Sequence, residues 1–145
     1  EETAKILQDY INKGGAIITT HAFVGTRGFI NIAPLVVAAV DDKPAQISTW
    51  KTNRRHELAR NLPTDDIQST FGDIITMKPG RLGTAAATTS NGQPAIVAGK
   101  TGRGRYIACG LGLGIGRNDK DAKLSEEDIQ LLHNMVYWSA GLRLR

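Results

Sequence analysis

The sequence predicts an α/β domain, and three observations carry that prediction. An amphipathic helix over Glu2 to Asn12 runs through Gly14-Gly15 into an apolar strand, the second half of a crossover unit. A second apolar strand, Tyr106 to Cys109, leaves through glycines at 110, 112, 114 and 116. A helix from Glu126 to about Ala140 is apolar over too broad a surface for a surface helix, which fits packing on a sheet.

The elements follow in order. In the first helix Ile6, Leu7, Tyr10 and Ile11 share a face, with acidic residues at the start and Lys13 at the end. Gly14-Gly15 supplies the left-handed stop. Ala16 to Thr20 are continuously apolar in pattern, which predicts a strand buried on both faces. His21 to Asn31 read as a loop with Gly25 and Gly28. Pro34 suits a first helical turn and predicts a short helix to Val40, against a valine content that suits a strand. A strand is expected over Ala45 to Trp50, irregular chain over Lys51 to Asp66, and a strand over Phe71 to Met77 closed by Pro79-Gly80. Gly83 to Thr89 and Pro94 to Gly99 flank Ser90-Asn91-Gly92-Gln93, and Asn-Gly is the strongest short hairpin signal. The turn at Gly102 then leads to a third strand, Arg105 to Cys109, so this part is a meander. Ser125 with Asp128 forms a capping box for the last helix, which Gly141 ends. That helix is expected to bury Ile129, Leu132 and Val136 together with Leu131, Met135 and Trp138.

At 145 residues the chain fits one domain able to bury about two thirds of its unfolded surface. Its 41% hydrophobic and 22% charged residues are those of an ordinary soluble globular protein. The formal charge of +4 is mild, and the cations are scattered over Arg54, Arg55, Lys100 to Arg105, Arg117 to Lys123, Arg143 and Arg145. With only 6% aromatics to stack on bases, nucleic acid is not an expected partner. No apolar run is long enough to span a bilayer, so a membrane is not expected either. A single cysteine, Cys109, excludes an internal disulfide and a cysteine-based metal cluster. The chain starts at Glu1, without methionine, directly in a helix, which suggests an upstream segment removed or omitted. A removed signal peptide would make the protein secreted or periplasmic; the compartment is otherwise open.

The glycine run does not match a phosphate cradle. A dinucleotide fingerprint needs glycine three residues after its second glycine and a helix at once, but this run alternates and position 117 is arginine. No Gly-Lys-Ser/Thr closes the glycine run from 110 to 116 as a Walker loop would require, so no nucleotide cofactor is expected. Cys109 lacks the elbow glycines two residues before and after it, where Ile107 and Leu111 stand, and reads as a buried thiol. His21 is the better polar candidate, because it follows a buried strand at the carboxyl end, where open α/β sheets place ligand crevices. With Thr20, Phe23 and Arg27, and with Gly112 and Gly114 of the strand exit, it makes the predicted ligand site, suited to a ligand bearing hydroxyls, carboxylate or phosphate. The competing reading is a histidine that caps local backbone. His56 reads as a turn residue and His133 as a helix residue, and the three histidines give no metal motif. Glu126, Glu127 and Asp128 read as helix N-terminal charges.

The order of these pieces resembles a known family. The helix leading into Gly14-Gly15, an apolar strand and His21-Ala22 is similar to the Gly-Gly, strand, His-small segment of the ThuA-like proteins, within the class I glutamine amidotransferase-like superfamily. His56 to Pro63 resembles their His-Pro-Ile-x-x-Gly-Leu-Pro stretch, although Glu57 stands for proline and Asn61 for glycine. Gln93 to Arg105 resembles Pro-apolar-x-Gly-Lys-Gly-Arg, and Trp138-Ser139-Ala140-Gly141 matches the closing helix. Leu113-Gly114 replaces a common Gly-His. The resemblance implies a flavodoxin-like three-layer sandwich whose first strand, helix and second strand precede Glu1. Residues 1–145 would then be the C-terminal part of a longer domain, with the missing strands supplied by the same polypeptide or another subunit. It also implies sugar utilisation as the setting, without amidotransferase activity, since no elbow cysteine is present. The expectation is a non-catalytic amidotransferase-like domain, an accessory or carbohydrate-related binding module without a cofactor. The alternatives are a ThuA-like enzyme acting on a sugar with His21 as acid or base, and a structural or oligomer-forming domain.

Overall fold

Helix α1 (Glu2–Asn12) and strand β1 (Ala16–Thr20) open the fold in a computed structural model that describes residues 1–69, 72–114 and 123–143. Phe71, the glycine exit beyond Gly114, the cationic run from 117 to 122 and Arg145 lie outside the described residues. Gly14 takes φ +114°, and the Gly15 N–H donates back to the Tyr10 carbonyl at 2.9 Å, which ends α1. A 3-10 turn at His21–Val24 follows β1.

The central sheet is mixed. Its order is β1-β8-β7-β6-β3-β4, where β3 is Thr49–Thr52, β4 Ile67–Gln68, β6 Gly83–Thr89, β7 Pro94–Thr101 and β8 Gly104–Cys109. Among the described strands only β1 and β8 run parallel, with Ala16 opposite Arg105 and Thr20 opposite Cys109. The β6-β7-β8 meander is antiparallel, as the Asn91-Gly92 and Gly102 turns predict; Gly92 and Gly102 take φ +89° and +57°. Helix α2 (Glu126–Ser139) begins at the predicted capping box, with the Ser125 hydroxyl accepting from the Asp128 N–H, and ends before Gly141 at φ +73°.

Side chains alternate across β8, and that alternation divides the core. Ile107 and Cys109 join Trp50, Ile96, Leu131, Met135 and Trp138 on the α2 side. Tyr106 and Ala108 join Ile11, Val36, Ile75 and Val97 on the α1 side. Each large side chain buried this way contributes about 1.5–3 kcal/mol. The glycines at the start of β8 and just beyond its end serve close packing: a Cβ on Gly110 would collide with the Ile75 carbonyl, and one on Gly104 with the carbonyls of Ile11 and Gly15.

Several expectations are corrected. Residues 34–40 are not a helix. The chain turns at Ala33, whose carbonyl accepts from both Val36 and Val37, and then forms β2 (Val37–Val40). It pairs with β5 (Met77–Pro79) in a separate two-stranded sheet, where the valines fit the pleat. The expected strand over 45–50 starts only at Thr49, and the one over 71–77 is reduced to an isolated bridge at Ile74 before β5. Pro79 therefore ends a strand on its edge rather than following one. On α2, Ile129 (55% exposed) and Val136 (54%) face outward, while Leu131, Met135 and Trp138 are buried. On α1, Ile11 is buried but Ile6 and Tyr10 are exposed. β1 is half-buried along its whole length, because among the described residues it forms the border of the sheet and has a paired strand on one side alone.

Candidate functional site

The carboxyl end of β1 lies beside the exit of β8, so the chain places His21 next to the glycine segment that begins at Gly110. His21 takes φ +47°, a left-handed conformation uncommon outside glycine and asparagine. That backbone turns its side chain inward, and the residue is only 8% exposed. Its Nε2 lies 2.6 Å from Oδ1 of Asp73, the one ion pair among the described residues when the imidazole is protonated. Asp73 is held by its neighbour Ile74, which bridges Ala45 on one side and Leu111 on the other. The carboxylate is thus stitched to the β8 exit by backbone and fixes the ring orientation of His21. A carboxylate-oriented imidazole can bind a polar ligand or move a proton.

The other predicted ligand residues spread out from this pair. Thr20 ends β1, half-buried. Gly112 is buried, and Gly114 is half-buried at φ +68° against Leu124. Phe23 is 60% exposed and meets Phe29 at 4.3 Å between ring centroids. Arg27 is exposed at φ +52°. Between them Thr26 turns inward and donates to the carbonyls of Asp41 and Asp42 at 3.2 Å, pinning the loop. Phe23 borders an apolar cavity of about 370 Å³ with Leu7, Ile17, Thr19, Phe29 and Ile30, and neither His21 nor Arg27 lines it. The structure therefore couples His21 to the glycine exit and Phe23 to a recess against α1.

Asp73 was not singled out by the sequence. It lies 52 residues from His21, and the one local signal is a lone carboxylate in an otherwise apolar run after Gly72.

Several other titratable groups do structural work. Cys109 is fully buried, and burial pushes its thiol up to about 12, so it carries no thiolate at neutral pH. Tyr106, also raised by burial to about 12, shares a 2.7 Å hydrogen bond with the Thr19 hydroxyl. His56 caps the 3-10 turn at Glu57–Ala59 by accepting the Leu58 N–H at Nδ1, and burial lowers its pKa despite the carboxylate of Glu57. His133 stacks on Tyr137 at 4.1 Å. Among the described residues no group of three His, Cys, Asp or Glu side chains could hold a metal ion. Asp128 belongs to the capping box, as its place at a helix start predicts. No described helix is long and apolar enough to cross a membrane.

No family profile matches the sequence, nor does any curated protein. Solved structures do match the fold. A ThuA-like protein of Parabacteroides merdae superposes on 100% of this chain with a TM-score of 0.63 at 14% identity, using 67% of its own length. The fold is ThuA-like. A cytoplasmic protein of Salmonella typhimurium matches 94% of the chain with a TM-score of 0.69 at 10% identity. The chain spans 59% of that protein's length. A β-galactosidase of Rahnella sp. matches 98% of the chain with a TM-score of 0.64 at 11% identity, and there the match takes up only 21% of the enzyme.

Proposed function

We propose that this ThuA-like domain is a carbohydrate-related, non-catalytic binding module of the amidotransferase-like kind. The observation that carries the reading is the recurrence of its fold as about a fifth of a β-galactosidase, the proportion of an accessory unit within a larger enzyme. The buried Cys109, without an elbow, supports a role outside amidotransferase chemistry. In this reading the sheet and its two helices form part of a flavodoxin-like three-layer sandwich. Residues 1–145 are the C-terminal portion of that domain, completed at β1 by strands from the same polypeptide or another subunit. Ligand would meet Phe23 and Arg27 at the surface of the loop after β1, while Thr20, His21, Gly112 and Gly114 would form a separate group where β1 and β8 end.

A thermal-shift panel of galactosides, mannosides and their oligomers tests this. At least one member should raise Tm, and Phe23→Ala and Arg27→Ala, both exposed, should abolish the rise without unfolding the domain. A rise that persists in both variants removes the site assignment, and a panel without any rise removes the module.

One observation favours a second reading, an enzyme acting on a sugar with His21 as acid or base: the 2.6 Å pair with Asp73. Turnover of a panel sugar by the wild type, lost by about a hundredfold or more in Asp73→Asn, would select the enzyme over the module.

A further inference from the structure

Four cationic side chains that are dispersed in the sequence meet in one surface depression at the opposite end of the sheet from His21. Arg60, Lys100, Arg105 and Arg143 line a cavity of about 390 Å³, and the one carboxylate in its wall is Glu57. None of the four lies within 4.0 Å of an acidic group among the described residues, where His21–Asp73 is the one ion pair. Lys100 and Arg105 stand directly opposite each other across β7 and β8, a like-charge placement that destabilises a sheet unless a counter-ion offsets it. Their shared face is that of Ala98 and Ile107, the α2 side.

Helix-terminus electrostatics explain only part of this. Cations are favoured near a helix C-terminus, and Arg105 meets that demand by donating from Nη1 to the Trp138 carbonyl at 2.9 Å. Its guanidinium also sits 5.0 Å from the centre of the Trp138 ring, which holds it in place. Arg60 is placed by its own backbone, whose carbonyl accepts from the Asn134 amide at 2.7 Å. The side chains of Arg60, Lys100 and Arg143 remain exposed around the fixed Arg105. Two of the residues that line the cavity, Leu142 and Arg143, also line a neighbouring hollow bordered by the stacked pair His133 and Tyr137. Cations for oxyanions beside an aromatic face for a ring form a consistent pair of surfaces.

We propose that this cavity binds a small organic anion carrying two or more carboxylate or phosphate groups, with sugar acids and sugar phosphates as its ligand class. The oxyanion part rests on the charge geometry alone, whereas the sugar part rests on the carbohydrate reading above. The test is calorimetric titration at low salt with three probes: pyrophosphate, digalacturonate and neutral galactobiose. Pyrophosphate and digalacturonate should bind, high salt should weaken both, and galactobiose should not bind at this site. The double variant Arg60→Ala/Lys100→Ala changes only exposed side chains, and should bind both anions about tenfold or more weakly while its circular dichroism is unchanged. Tyr137→Ala should weaken digalacturonate and leave pyrophosphate alone. Binding of pyrophosphate but not digalacturonate would keep the anion site and overturn its sugar ligand. Absence of anion binding at low salt, or equal binding by the double variant, would overturn the site itself.

Discussion

His56 shows how one residue's surroundings become a pH dependence. Its imidazole accepts a backbone N–H at Nδ1, and burial lowers its pKa below the ordinary 6.5. The unfolded chain therefore takes up this proton more readily than the folded one. The contribution of His56 to stability is complete above pH of about 6.5 and is lost progressively as pH falls toward the lowered folded value. His56→Asn keeps an acceptor at the cap and removes the titration. Urea unfolding should then show the wild type losing more stability than His56→Asn between pH 7.5 and pH 5, and equal losses would refute the assignment. His21 differs in kind: its orientation comes from Asp73, a residue that no spacing rule connects to it. The histidine was legible because it directly follows a strand of plain apolar pattern. Its carboxylate was not, because tertiary pairing of Ile74 with Leu111 brings it there.

At the scale of elements, α2 combines a local start signal with a tertiary choice of face. The reciprocal bonds between Ser125 and Asp128 satisfy two N–H groups at the helix start, whatever the helix packs against. Ser125→Ala leaves the Asp128 N–H without its acceptor and should cost about 1 kcal/mol in urea unfolding. No change in the midpoint would mean that the box contributes nothing in solution. The meander was equally legible, since Asn91-Gly92 and Gly102 dictate turns within a few residues. Residues 34–40 were not, because a proline-led turn and a valine-rich strand share one composition. The partner β5, about forty residues away in sequence, decides in favour of the strand.

At the scale of the molecule, the border of the sheet stands out. β1 runs parallel to β8 and has no second paired strand among the described residues, although parallel strands are usually covered on both faces. Around that border Tyr10, Phe23, Phe29 and Ile30 are 54%, 60%, 44% and 47% exposed. An apolar surface of this kind beside an open strand favours association. Light scattering on residues 1–145 should show a mass that rises with concentration, and Phe23→Ser/Phe29→Ser should return it to the monomer. A constant monomer mass in the wild type would exclude self-association through this edge.

The sequence by itself determined α1, β1, the β6-β7-β8 meander, the capped α2 and the inert character of Cys109. Those features rest on signals confined to a few residues: glycine turns, a capping box, an apolar run. Tertiary structure alone decided which faces of α1 and α2 are buried, the strand at residues 37–40, the Asp73 partner of His21 and the convergence of Arg60, Lys100, Arg105 and Arg143. Each of these depends on contacts between segments tens of residues apart, and strand pairing creates those contacts without leaving a local mark in the chain.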